Sequence, residues 1–557
     1  MRWSVAVVVA ALLLVNFATV GEAKTPSGKV EPALLAQAQA NPKQDFDVIV
    51  RATQSKDKKD HGSKRAADAV TLNKGKVGHG LSIIGGASAT LSGKAILELA
   101  KHKDVAYVSR DLVLKAHFDP AAGSSALTTP GLREIGVTDA WTTSGVTGRG
   151  VGVAVIDSGI ADHPDLAGRI VAAVDFTTGT PGEPAVAHSD PGGHGTHVAG
   201  LIAGDGTASG GAYTGVAPGA NLVDVRVIGA TGSTTVSTVL RGMQWVIANR
   251  ATYNIRVANL SLGAAAITSY TGDPLATGVE MLTFSGIAVV VAAGNGGPSA
   301  GTVTTPGDDP FVITVGAIDD NGTADPADDL LPSWSAQGAT VFDGLSKPDL
   351  AAPGRKMVSL RSAGSTLDTL YPERQVAGTD PLVPAYFRLS GTSMAAPVVA
   401  GTIALMLEKN PSLLPAQIKH RLRATASAAS YGSALATGAG VVNVAAAVAS
   451  ADPASDFASV PVSDGFATST YSLVYGQPLS WRDLTFNGGV DSAGTPWGSV
   501  TWTNIVWDPI TWQDLMWESF NWSTVSWQDA YWEDAFWETT TLNVNTLGTR
   551  GGWKLVN

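Results

Sequence analysis

The 557-residue chain contains no cysteine. This excludes disulfides as a source of stability, thiol catalysis and cysteine-ligated metals. Charge is sparse at 15% of residues, and the 37 Lys and Arg are outnumbered by 48 Asp and Glu. A formal net charge of −11 argues against nucleic acid as a partner. Long apolar runs are almost absent. The exception, residues 5–20, follows Arg2 and leads into Gly21-Glu22-Ala23, the pattern of a cleaved secretory signal over residues 1–23. An uncleaved anchor is the alternative, but the run is marginally short for a spanning helix. No later run is long enough to span a membrane, so the expected product is exported and soluble. The length implies three or four domains, and 44% hydrophobic residues suffice for a large core.

Residues 24–118 have more Lys and Arg than Asp and Glu, with a basic run at 56–65 that fits a solvated loop. Their pattern predicts a strand at 46–50, a helix at 65–72, a Gly-rich strand region at 77–91, a helix at 94–101 and a strand at 105–108, a small α+β (ferredoxin-like) module. Beyond it, near-continuous apolar runs at 151–156, 222–227, 257–262, 288–292 and 311–315 alternate with helical patterns at 197–203, 235–250 and 275–285. That alternation indicates a doubly wound α/β parallel sheet with helices on both faces, whose ligands sit beyond the carboxyl ends of the strands.

The chemistry sits in four short motifs. Leu389-Ser390-Gly391-Thr392-Ser393-Met394-Ala395-Ala396-Pro397 puts a serine hydroxyl at the start of a predicted helix over 394–408, with Pro397 in its first turn. A serine is a nucleophile only beside a base. His194-Gly195-Thr196-His197 supplies one, and Val155-Ile156-Asp157-Ser158-Gly159 places an acid at the end of an apolar run. Ala292-Ala293-Gly294-Asn295 ends another. His197 is expected to be a buried structural residue, and His163 and His188, which lie in no motif, to be exposed.

Asp, His and Ser motifs in this order resemble the subtilisin-like serine proteases (subtilases), over about residues 130–450. The resemblance implies a subtilisin-like catalytic domain over 119–450, with Asp157, His194 and Ser393 as the catalytic triad and Asn295 as an oxyanion donor. Ser261, Leu262 and Gly263, with Ala292, Ala293 and Gly294, would wall the substrate pocket and pair with extended substrate. Residues 24–118 resemble the family's inhibitory propeptide, most clearly at Asp104-Val105-Ala106-Tyr107-Val108. The implied product is a secreted serine endopeptidase made as a self-processing zymogen, cut near residues 116–129, whose partners are peptide substrates and its own propeptide. No cofactor is required. Asp165 matches a calcium-ligating acid in relatives, and the Gly-rich loop at 206–215 stands where they carry a calcium loop. That loop lacks the Asn-rich ligands such a site needs.

Residues 451–480 have a linker composition. After them Trp recurs at 497, 502, 507, 512, 517, 522, 527, 532 and 537, a constant spacing of five within a Trp-rich region over 481–557. That period suits neither a helix face nor a strand face. It suits a β-rich solenoid coil of pentads, with a poorly ordered tail as the rival reading. The competing function is a surface- or glycan-binding protein acting through this array, with a catalytically dead protease scaffold.

Overall fold

The computed structural model describes residues 28–53, 62–116, 131–178, 188–456 and 462–464, and two short strands at Thr485–Phe486 and Val500–Thr501. The expected signal, the 116–129 cut (beyond Ala116) and the Trp array lie outside these residues.

Residues 28–116 begin with helix α1 (Pro32–Ala40), which sequence patterning did not reveal. Then come β1 (Asp45–Ala52), α2 (Gly62–Leu72), β2 (Lys76–Leu81), β3 (Gly86–Ser92), α3 (Gly93–Leu99) and β4 (Val105–Arg110). The four strands form an antiparallel sheet in the order β2-β3-β1-β4, the ferredoxin-like arrangement expected. Strand alternation sorts β1 into two jobs. Val48 and Val50 face this module's own core, while Ile49 joins a different cluster with residues far along the chain. A fifth strand, β5 (Val113–Ala116), leaves the module altogether.

The larger body follows, opening with α4 (Val137–Ser144). Its strands are β6 (Gly152–Asp157), β7 (Ile170–Asp175), β8 (Asn221–Arg226), β9 (Ser233–Thr235), β10 (Ile255–Leu260), β11 (Leu262–Ala265), β12 (Ala288–Ala292), β13 (Thr304–Thr305), β14 (Ile313–Ile318) and β15 (Leu350–Pro353), with a separate three-stranded sheet of Met357–Leu360, Gln375–Ala377 and Pro384–Leu389. Seven of them make a parallel sheet in the order β15-β14-β12-β10-β6-β8-β7. The edge strands β7 and β15 were not anticipated: the first half of β7 is only partly buried, and β15 spans four residues. Its longest helices are α5 (His194–Ala203), α6 (Val236–Asn249), α7 (Pro274–Phe284), α8 (Thr392–Lys409) and α9 (Pro415–Ala424).

Helix α8 is buried from Thr392 to Leu407, and a helix apolar all round belongs in a core. Small residues let it lie close to its neighbours: a Cβ on Gly401 would meet Val216 Cβ at 2.7 Å. At its far end Glu408 accepts the amides of Thr147 (2.6 Å), Gly148 (2.5 Å) and Arg149 (3.1 Å), the turn that feeds β6. Pro397 is the sixth residue of α8 rather than part of its first turn, because the helix starts two residues earlier than predicted.

The two bodies share one apolar cluster. Ile49, Leu81, Ile83, Ile84 and Leu114 pack with Val239, Leu240 and Met243 of α6 and Leu275, Val279 and Leu282 of α7. Asp111 caps α6, accepting from the Ser237 amide at 2.9 Å and its hydroxyl at 2.6 Å. Glu408→Ala, made in a Ser393→Ala background to prevent self-digestion, is expected to lower unfolding stability by about 3 kcal/mol in urea titration. A loss under about 0.5 kcal/mol would show that the anchor is dispensable.

Candidate active site

Asp157 ends β6 and His194 opens α5, so strand end and helix start must touch. Gly195 allows it: a Cβ there would meet Gly159 O at 2.3 Å. His194 Nδ1 lies 2.8 Å from Asp157 Oδ1, which also accepts the Ser158 amide at 2.7 Å. Both side chains are buried, at 4% and 0% exposure, so the pair is shielded from water. Burial by itself would lower the His194 pKa, but the charge and hydrogen bond of Asp157, with Asp190 behind, raise it above 6.5.

Sequence reasoning missed Asp190, which organises this corner. It accepts from Ser158 Oγ (2.8 Å), the Gly193 amide (2.7 Å), and the Thr196 amide and hydroxyl (both 2.8 Å). Burial still raises its pKa despite these bonds. Its only signal was its place in the turn-rich Ser189-Asp190-Pro191-Gly192-Gly193.

Ser393 is the second residue of α8 and is buried. Pro397 has no amide hydrogen for the Ser393 carbonyl one turn back. That carbonyl instead accepts Ser261 Oγ at 3.0 Å, while Ser393 Oγ donates to the Ser261 carbonyl at 3.0 Å. Asn259 Nδ2 in turn donates to Ser261 Oγ at 3.0 Å. Thus Ser261 is a buried support for Ser393.

Asn295 follows β12. Its carbonyl oxygen accepts the Thr392 amide at 3.0 Å and the Thr392 hydroxyl at 2.9 Å. This orients the amide nitrogen, which is buried and has no hydrogen-bond acceptor among the described residues. A donor held ready without an acceptor suits an anion that forms only during reaction.

Strand β5 lies between β11 and β9, both antiparallel to it. Ala116 and Lys115 face Leu262 and Gly263; Lys115, Leu114 and Val113 face Ser233, Thr234 and Thr235. Leu114 is fully buried. β5 therefore runs along Leu262–Gly263 on one edge and Ser233–Thr235 on the other, and does not pair with Ala292–Gly294. The latter segment is covered by Thr304, whose amide and hydroxyl bind the Ala293 carbonyl at 3.0 and 3.2 Å. A cavity of about 380 Å³ beside the strand is lined by Ala116, Gly263, Ala264, Asn295 and Thr304 among others. The sequence pattern began a helix at residue 235 and gave no strand at Ser233–Thr235; Thr235 caps α6, its side chain accepting from the Thr238 amide.

His197 is buried with Nε2 3.1 Å from the Met357 carbonyl, and burial with the nearby His194 pushes its pKa down to about 3. It stays neutral and structural. His188 is exposed, 3.1 Å from Asp162. The expectation that His163 is exposed is corrected: its side chain is 6% exposed, its Nε2 lies 2.9 Å from the Ala385 carbonyl, and its Nδ1 accepts the Asp165 amide.

The calcium reading of Asp165 does not fit its surroundings. One carboxylate oxygen accepts the Tyr386 hydroxyl at 2.6 Å and the other the Ala208 amide at 2.7 Å. Both oxygens face protein donors, and the 206–215 loop closes on its own backbone, with the Ser209 and Gly211 amides both on the Gly206 carbonyl. No group of three or more metal-ligating side chains exists among the described residues.

A buried acid bonded to an imidazole, a helix-start serine and a buried amide donor are an arrangement suited to serine hydrolase chemistry. Residues 148–457 match the Subtilase family, and the chain belongs to it as a subtilisin-like serine endopeptidase. It is 44% identical to Serine protease AprX of Bacillus subtilis over 287 residues, 50% of this chain and 61% of that one. It is 35% identical to Subtilisin E of Bacillus subtilis over 390 residues, 69% of this chain and 86% of that one. Among solved structures, fervidolysin from Fervidobacterium pennivorans, described as a keratinolytic enzyme related to subtilisin, aligns with a TM-score of 0.55 and 25% identity. That alignment covers 74% of this chain and 62% of fervidolysin.

Asp165→Asn should lower the thermal midpoint by the same amount in calcium buffer and in EDTA, since the lost partners are Tyr386 and Ala208. A penalty that appears only with calcium would restore Asp165 as a ligand.

Proposed function

We propose that Ser393 attacks peptide carbonyls, with His194 as general base and Asp157 as its orienting acid, in a chain made as a self-inhibited precursor. The observation that carries this reading is the 2.8 Å contact between His194 Nδ1 and Asp157 Oδ1. It holds Nδ1 as the donor and leaves Nε2 as the basic nitrogen. The Ser393 proton passes to Nε2 as Oγ bonds the carbonyl carbon. The same proton then goes to the departing amine, leaving an acyl-enzyme that water hydrolyses by the reverse sequence. The Asn295 amide and the Ser393 N–H, in the first turn of α8 where helix amides have no intrahelical acceptor, receive the oxyanion.

Residues 24–118 act as the inhibitor in this reading. Support comes from β5, which adds as a strand between β9 and β11, the mode by which an extended peptide would bind. The composition of residues 1–23 supports export, and cleavage by the chain's own Ser393 releases the mature enzyme.

Ser393→Ala should leave an uncut, inactive precursor on gels and in peptidase assays; a processed product would remove Ser393 from the mechanism. The pH profile carries a second test. His194 must be neutral to accept a proton, so its raised pKa puts the acidic limb of kcat/KM above pH 6.5. Asp157→Asn should shift that limb downward while kcat falls about 10⁴-fold. A limb that does not move would mean another group titrates. Asn295→Ala should cut kcat by about 10²- to 10³-fold with little change in KM, a magnitude known from subtilisin itself.

A further inference from the structure

Asp190 lies buried in the turn that leads into α5, and its two oxygens collect four hydrogen bonds. Two of the donors, the Gly193 and Thr196 amides, cannot accept. The other two are hydroxyls that already take an amide each: Gly195 on Ser158 Oγ at 2.9 Å and Ala161 on Thr196 Oγ1 at 3.0 Å. Both hydroxyls therefore turn their hydrogens toward Asp190. A protonated Asp190 would have to set its own hydrogen against one of these donors. Donors at both oxygens favour the anion, against burial, which raises its pKa.

These bonds reach both members of the acid–imidazole pair. Ser158 gives its amide to Asp157 Oδ1 at 2.7 Å and its hydroxyl to Asp190 Oδ1 at 2.8 Å, so one residue spans two carboxylates. Asp157 needs that support, because its Oδ2 is buried and has no donor among the described residues. On the other side, Gly193 caps α5 and Thr196 is its third residue, so Asp190 also grips the turn of helix that begins with His194. The turn is fixed from behind, where Ser362 Oγ donates to the Asp190 carbonyl and the Thr366 amide to the Pro191 carbonyl, both at 2.8 Å. The titratable groups that bear on His194 are Asp157 from β6, Asp190 from the turn and His197 of its own helix, which burial keeps neutral. Asp224 of β8 stands behind Asp190 and binds the Ile160 amide at 3.0 Å; burial, with Asp190 adding, pushes its pKa well above the ordinary value.

We propose that Asp190 is an ionised positioning residue for the Asp157–His194 pair. Through Ser158 it fixes the turn that carries Asp157, and through Gly193 and Thr196 it fixes the start of α5. Its charge adds to that of Asp157 in favouring the imidazolium that forms when His194 takes the Ser393 proton. Asp190 touches no reacting atom, and no proton moves to or from it. The position and the charge are separable, since Ser158 transmits the first and not the second. This role rests on the reading of His194 as general base.

The test uses the full chain. In a Ser393→Ala background, Asp190→Asn should move the His194 titration, followed by imidazole NMR, to lower pH. With Ser393 present, the same substitution should cut kcat about 10- to 100-fold with little change in KM. The acidic limb of kcat/KM should move down with the imidazole titration. Ser158→Ala is the milder variant, because it keeps the Asp190 charge and removes only the link to the Asp157 turn. It should lower kcat and leave the limb at its wild-type pH. An unmoved His194 titration in Asp190→Asn would overturn the role of the charge, and wild-type kcat in Ser158→Ala the positioning. Should Asp190→Asn fail to fold, Ser158→Ala decides alone: lower kcat at unchanged KM supports the proposal, and wild-type kcat overturns it. A wild-type limb that does not follow the His194 titration would instead overturn the general-base reading, and the NMR shift would still decide the influence of Asp190.

Discussion

The hydrogen bond between His194 and Asp157 is the constraint on which the rest of the site depends. It requires the carboxyl end of β6 and the first residue of α5 to touch, which Gly195 permits by having no side chain. It requires burial, because in water the attraction between imidazole and carboxylate would be too weak to fix a tautomer. Burial then has its own cost, which Asp190 and Ser158 offset by satisfying the turn amides around the pair.

The nucleophile obeys the same logic from the opposite side. Pro397 removes a helix hydrogen bond from the Ser393 carbonyl, and Ser261 takes its place. Thr392 fixes the Asn295 carbonyl, which leaves the amide nitrogen buried and without an acceptor among the described residues, as the proposed oxyanion donor must be. Each of these groups is held by a specific neighbour: His194 by Asp157, the Ser393 carbonyl by Ser261 and the Asn295 carbonyl by Thr392. Substrate-like strand β5 lies in the groove beside them, its Leu114 anchored in the apolar cluster that joins module and protease.

Local chemistry was legible in the residues and long-range pairing was not. Asp157, His194, Ser393 and Asn295 announced themselves because each sits in a short motif at the end of an apolar run or the start of a helix. Five central strands showed as apolar runs because parallel strands buried on both faces must be. Strands β7 and β15 lacked that signal, and Ser233–Thr235 was hidden by its second duty at the start of α6. His163 was misplaced because nothing local marks it: its burial comes from the Ala385 carbonyl, 222 residues away. Asp165 misled for a related reason, since the Tyr386 hydroxyl that occupies it lies 221 residues further on.

The most direct measurement of the central claim is proton NMR of the full-length Ser393→Ala protein. A strong His194 Nδ1–H to Asp157 bond should give a resonance far downfield of the amide envelope, titrating with a midpoint above pH 6.5 and disappearing in the Asp157→Asn variant. No such resonance, or one that survives Asp157→Asn, would contradict the account.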